Sequence, residues 1–147
     1  MCNKKMTLLG VLIVLLTQST EALASAGDNL TFKQWALTPP MGWDSWDCYG
    51  PTVTEQEVKA NTDFMADHLK SYGWQYIIVD IRWYVANPKS GGYNQNNPVY
   101  VIRNYGRDQP AENRFPSASG GKRFKDLADD IHAKGLKFGI HSIRGIP

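Results

Sequence analysis

Three short apolar runs separated by two helical periodicities constrain this chain more than any other feature. The runs lie at residues 40–43, 76–79 and 136–141. Strand signals that alternate with helix signals predict an α/β fold built on a parallel sheet. Tyr76-Ile77-Ile78-Val79 is apolar without alternation, as a parallel strand buried on both faces reads. The 40–43 signal is the weakest of the three. Between the first two runs, Thr54 and Glu57 stand three apart and predict a capping box at a helix start. Val58, Met65, Leu69 and Tyr72 then recur on one face. Gly73 predicts the left-handed residue that ends such a helix. The second helix carries Phe124, Leu127, Ala128 and Ile131 on one face and closes at Gly135.

Parallel strands joined by right-handed crossovers place their carboxyl ends on one side. Sites on such sheets are built at that rim. Residues 43–47, 80–83 and 141–144 follow the three strand ends. They bring tryptophans at 43, 46 and 83, acids at 44, 47 and 80, and bases at 82, 141 and 144 to one edge. Indole faces stack on the C–H faces of sugars, and carboxylates and guanidinium groups bind hydroxyls. The set suits a neutral carbohydrate better than a nucleotide.

Each of these residues also has a plainer reading. Asp80 fits a backbone cap, a ligand for substrate hydroxyls, or a metal ligand. Trp46 fits core packing or the site. His141 fits a satisfied structural histidine or a site residue. Arg82 and Arg144 fit pairing with rim carboxylates, and His68 and His132 fall on helices away from the rim. Asp44 and Asp47 share one turn, which does not oblige them to face one substrate. The polar stretch 81–121 is long enough for a functional loop. Ser119-Gly120-Gly121-Lys122 is not a phosphate loop, because the first glycine is missing and Arg123 stands in place of the hydroxyl residue.

The first 26 residues read as a signal peptide to be left out of the fold. Lys4 and Lys5 precede an apolar run ending at Leu16, and Ala24-Ser25-Ala26 fits the cleavage pattern. The run is shorter than the roughly 20 residues a membrane span needs. Export to the periplasm or the extracellular space is therefore expected, with residues 27–147 as the mature portion. That portion holds 14 basic and 13 acidic residues, a net charge of +1. Near-neutrality gives no case for nucleic acid or a membrane surface as partner. Cys48 remains as a lone cysteine and is expected as a buried thiol, although pairing with a cysteine beyond Pro147 is also compatible. No Cys/His cluster with zinc-ligand spacing occurs. Asn29-Leu30-Thr31 fits a glycosylation sequon.

The run Thr38-Pro39-Pro40-Met41-Gly42-Trp43-Asp44-Ser45-Trp46 resembles the opening of glycoside hydrolase family 27, the α-galactosidase family, whose usual form is TPPMGWNSW. Tyr72-Gly73 with residues 76–80 and Trp83 resembles its second strand. Gly106-Arg107, residues 114–116, 127–129 and 131–140 resemble the stretch leading into its third. The likeness covers almost all of residues 38–145. It implies an α/β fold, the first three β/α units of a (β/α)8 TIM-type barrel that is incomplete in this chain. It implies retaining hydrolysis of terminal O-glycosidic bonds, most readily α-D-galactosides, with an oligosaccharide or polysaccharide as substrate and no cofactor or metal. Trp46, Asp80 and His141 would bind substrate. The catalytic nucleophile and acid/base would lie on later strands, beyond Pro147, so no catalytic residue is assigned in this chain. Two departures bear on the sugar: Ile81 stands where the family usually has a second acid, and His141 where it commonly has a tyrosine. An arabinopyranoside is thereby admitted as substrate. A carbohydrate-binding protein without catalysis is the rival reading.

Overall fold

The residues described by a computed structural model are 35, 37–91 and 93–142. The signal peptide, the sequon and Arg144 lie outside them. The elements are β1 (Gly42–Asp44), α1 (Ser45–Tyr49), α2 (Glu55–His68), β2 (Tyr76–Val79), β3 (Ile102–Arg103), β4 (Arg107–Asp108), α3 (Lys125–Ala133) and β5 (Lys137–Ile140). β1, β2 and β5 form a parallel sheet with β2 in the centre. The alternation of strand and helix thus appears as expected, with β1 starting two residues and ending one residue later than the 40–43 reading. The described residues from Pro40 onward make one compact unit. No helix among the described residues is long and apolar enough to cross a membrane.

The register explains why three rim segments meet. Asp44 pairs with Ile78, and Val79 pairs with Ile140, so the carboxyl ends of all three strands share one edge. Strand β1 approaches β2 so closely that a Cβ on Gly42 would lie 2.5 Å from the Tyr76 carbonyl oxygen. Only glycine fits there.

Helix α2 begins as its sequence predicts. Thr54 Oγ1 accepts the Glu57 N–H at 3.4 Å, and Glu57 Oε2 accepts the Thr54 N–H at 2.7 Å. Val58 and Met65 are buried against the sheet. Tyr72, read as part of the same face, is instead 76% exposed, because the chain tightens into a 3-10 turn at Lys70–Tyr72 and rotates it outward. Gly73 follows with φ +93°, the left-handed turn that stops the helix. Leu127 and Ile131 of α3 are fully buried, and Gly135 closes that helix at φ +76°. On β2, Ile77 and Val79 are fully buried while Tyr76 and Ile78 are half-buried.

The 81–121 stretch is not a bare loop. It contains the β3–β4 ladder, a bridge between Val85 and Tyr100, and a 3-10 segment at Pro116–Gly121. Arg114 binds it to the rim. Its buried guanidinium donates to the carbonyls of Pro51, Val53, Arg82 and Val85 at 2.6–3.1 Å. One side chain thereby ties the connection after β1 to the connection after β2. Desolvation pulls its pKa down to about 10, which still leaves it charged at neutral pH.

Candidate functional site

The shared edge of the sheet gathers three titratable side chains. Asp44 ends β1, and Asp80 and His141 follow β2 and β5 directly. His141 Nδ1 lies 3.0 Å from Asp80 Oδ1 and 3.7 Å from Asp44 Oδ2. In the tautomer with its proton on Nδ1, His141 donates to the Asp80 carboxylate. His141 is half exposed, and Asp80 is 14% exposed. The ligand atoms of all three lie within 4.8 Å of one another, close enough to hold a metal ion.

Backbone contacts fix each member. The Asp44 Oδ1 accepts the Trp46 N–H at 2.8 Å and caps α1. Ser45 is fully buried, and its Oγ accepts the Asp80 N–H at 2.9 Å, which joins the ends of β1 and β2. Asp80 Oδ1 also accepts the Ile81 N–H at 2.7 Å. Asp80 therefore serves as a local cap and faces His141 at once. The His141 N–H continues the ladder to Val79 O at 3.0 Å, and Trp83 Nε1 donates to His141 O at 2.9 Å.

Burial and proximity to two acids act on the cluster's electrostatics. The Asp44 carboxyl is raised above its ordinary pKa, chiefly by desolvation, against the pull of the Trp46 N–H; Asp80 adds to the rise and His141 opposes it.

The structure brings Asp80 and His141 together, and adds Asp44, which the sequence left without a role. Asp47, its neighbour in the same turn, points to solvent. Trp46 stays half-buried, with its ring centroid 6.4 Å from that of Tyr93 at a tilt of 53°. Other expectations are corrected. Trp83 is a core residue, packed edge-on against Tyr84 and Phe124 and 5% exposed. Arg82 pairs with no rim carboxylate; it is buried and donates to Tyr93 O and Gln95 Oε1. Cys48 is an exposed free thiol, not a buried one, because α1 turns it away from the sheet. His68 and His132 are exposed on their helices, as read. Sequence reasoning missed Tyr93 and Ser45. Tyr93 is 47 residues from Trp46 and carries no local signal, and only the pairing of β1 with β2 sets Ser45 beside Asp80. A cavity of about 540 Å³ elsewhere is lined by Trp83, Phe124 and Phe138 with the cations Arg107, Lys122 and Arg123, and none of the three clustered residues lines it.

No protein-family model matches the chain. It is 35% identical over 144 residues to α-galactosidase A of Cellvibrio japonicus, covering 97% of this chain and 30% of that protein. It is 38% identical over 109 residues to an α-galactosidase of Cyamopsis tetragonoloba, covering 74% of this chain and 22% of that one. Among solved structures, a GH27 β-L-arabinopyranosidase of Geobacillus stearothermophilus superposes with a TM-score of 0.75 at 57% identity, over 81% of this chain and 27% of that one. The chain thus spans less than a third of the length of these relatives. Long matches to two α-galactosidases and to a GH27 arabinopyranosidase show that the chain belongs to glycoside hydrolase family 27.

Proposed function

We propose that the whole protein carrying this chain hydrolyses terminal glycosidic bonds of pyranosides with the galacto ring configuration, α-D-galactosides first among them. The arrangement that carries this reading is the Asp80–His141 pair with Asp44 beside it, on the rim that also holds the half-buried Trp46. Such a group offers several acceptors and donors to sugar hydroxyls next to an aromatic face. In this reading β1, β2 and β5 are the first three strands of an eight-stranded (β/α) barrel, with α2 and α3 as the helices between them, and Asp80, His141 and Trp46 bind substrate.

None of the three acids is assigned to the bond-breaking step. A retaining glycosidase needs a nucleophile and an acid/base flanking the scissile bond, about 5–5.5 Å apart. Asp44 and Asp80 both lie against the His141 Nδ1, at 3.7 and 3.0 Å. The resemblance to family 27 implies that the catalytic pair lies on later strands of the barrel. No metal is needed for this chemistry, and chelation leaves turnover unchanged if the reading is right.

A specific residue favours a second sugar. Ile81 follows Asp80 where a second acid is usual and offers no hydrogen-bond acceptor. A β-L-arabinopyranoside is the α-D-galactoside ring without its hydroxymethyl group, so it has no primary hydroxyl to leave unpaired. The resemblance to an arabinopyranosidase supports the same alternative. Nitrophenyl α-D-galactopyranoside and nitrophenyl β-L-arabinopyranoside, assayed side by side on the whole protein, test both. A higher kcat/KM on the first is expected for a galactosidase and on the second for an arabinopyranosidase. A folded protein that binds these sugars and turns over neither would establish the non-catalytic binder.

A further inference from the structure

We infer that Tyr93 is a second aromatic wall of the sugar site, forming with Trp46 a corner that holds the apolar face of the bound pyranose. The inference rests on the glycosidase reading above and extends it to a residue 13 positions beyond Asp80. The two half-buried rings stand 6.4 Å apart, centroid to centroid, and are tilted by 53°. At that tilt the two ring planes meet at an angle, and both rings keep part of their surface exposed, unlike the buried Trp83 and Phe124. Pyranose C–H groups are attracted to such faces.

The position of Tyr93 is built, not incidental. Arg82, two residues after Asp80, is 5% exposed and adopts φ +69°, a conformation that costs energy in any residue with a side chain. Its guanidinium donates to Tyr93 O through Nη1 and to Gln95 Oε1 at 3.2 Å through Nη2, and lies 5.7 Å from the centre of the Tyr93 ring. Gln95 in turn donates to Asn87 O at 2.7 Å, and Asn87 Oδ1 accepts the Val99 N–H at 2.7 Å. The segment between β2 and β3 is thus laced to itself and anchored to a buried cation beside Asp80. Its Tyr93 ring is set against Trp46.

The test is made on the whole protein with Tyr93→Phe, Tyr93→Leu and Tyr93→Ala, each checked by its thermal melt. Probes are free L-arabinose and D-galactose as competitive inhibitors, and methyl and nitrophenyl glycosides as substrates. Phenylalanine keeps the ring and is expected to stay within about 2-fold of wild type. Leucine and alanine remove it and are expected to raise Ki for the free sugar and KM for both glycosides by about 3- to 10-fold, with kcat little changed. Leucine preserves bulk, so a fold lost only in the alanine variant leaves the comparison intact. An unchanged Ki in the leucine variant, or a loss confined to the nitrophenyl glycoside, would overturn the inference. A wild type that neither binds nor hydrolyses these sugars would overturn the glycosidase reading itself, and an active wild type with an indifferent Tyr93 only this extension.

Discussion

His141 Nδ1 sits 3.0 Å from Asp80 Oδ1, so residues 61 positions apart make a hydrogen-bonded pair across the ends of two neighbouring parallel strands. The pair exists because β2 and β5 are in register, Val79 against Ile140, and each strand releases its next residue at the same height. Its partners divide the labour. Ser45 and the Ile81 N–H hold Asp80, while the strand ladder and Trp83 hold the backbone of His141.

Asp80→Asn tests whether that carboxylate binds hydroxyls or moves a proton. The substitution keeps the shape and removes the charge, weakening charge-assisted hydrogen bonds that contribute about 1.5–3 kcal/mol. A loss of about 10- to 100-fold in kcat/KM is expected in the whole protein. The pH profile should keep both limbs, since they belong to the catalytic pair. Disappearance of one limb would make Asp80 an acid or base and refute the binding role.

Asp44→Asn should change how stability depends on pH. The folded protein holds this carboxyl above its ordinary pKa, chiefly through burial. A raised folded pKa means the contribution of Asp44 to stability is greatest below the unfolded pKa and falls as pH rises through the folded value. Asparagine caps α1 equally well through its carbonyl oxygen and does not ionise. The variant should therefore gain in Tm relative to wild type on going from about pH 3 to pH 7. Equal Tm differences at both ends would show that the ionised carboxylate is not disfavoured there.

Arg114→Met should destabilise the protein by about 3–5 kcal/mol. The change keeps much of the apolar stem but leaves the carbonyls of Pro51, Val53, Arg82 and Val85 without their buried donor. Denaturant midpoints measure the loss. Because Arg82 carries the segment with Tyr93, KM should rise in the folded fraction as well, whereas a stability loss of less than 1 kcal/mol would show that water replaces the guanidinium at little cost.

Export provides a separate check on the amino-terminal segment. Mass spectrometry of secreted material should find Gly27 as the first residue, after cleavage at Ala24-Ser25-Ala26. Recovery of an intact Met1 from the cytoplasm would refute both the signal peptide and the periplasmic or extracellular location.

What the sequence alone determined was set by local chemistry. The Thr54–Glu57 box, the stops at Gly73 and Gly135, the strand at Tyr76–Val79 and the strand–helix alternation all follow from neighbours within a few residues, whereas burial on both faces of that strand did not hold, since Tyr76 and Ile78 are half-buried. The rim could be read too, because parallel strands have one possible carboxyl edge, and Asp80 and His141 each follow a strand. Tertiary structure decided which rim residues share a site. Trp83 turned into the core because Phe124 and Tyr84 receive its ring, and Arg82 turned under the 87–99 segment to hold Tyr93. Asp44 was chosen over Asp47 because the first is a strand-end cap beside β2, and the second lies in the first turn of α1, exposed to solvent. Such choices depend on strand register and on contacts that reach from 11 positions, Arg82 to Tyr93, to 61, Asp80 to His141, and local periodicity encodes neither.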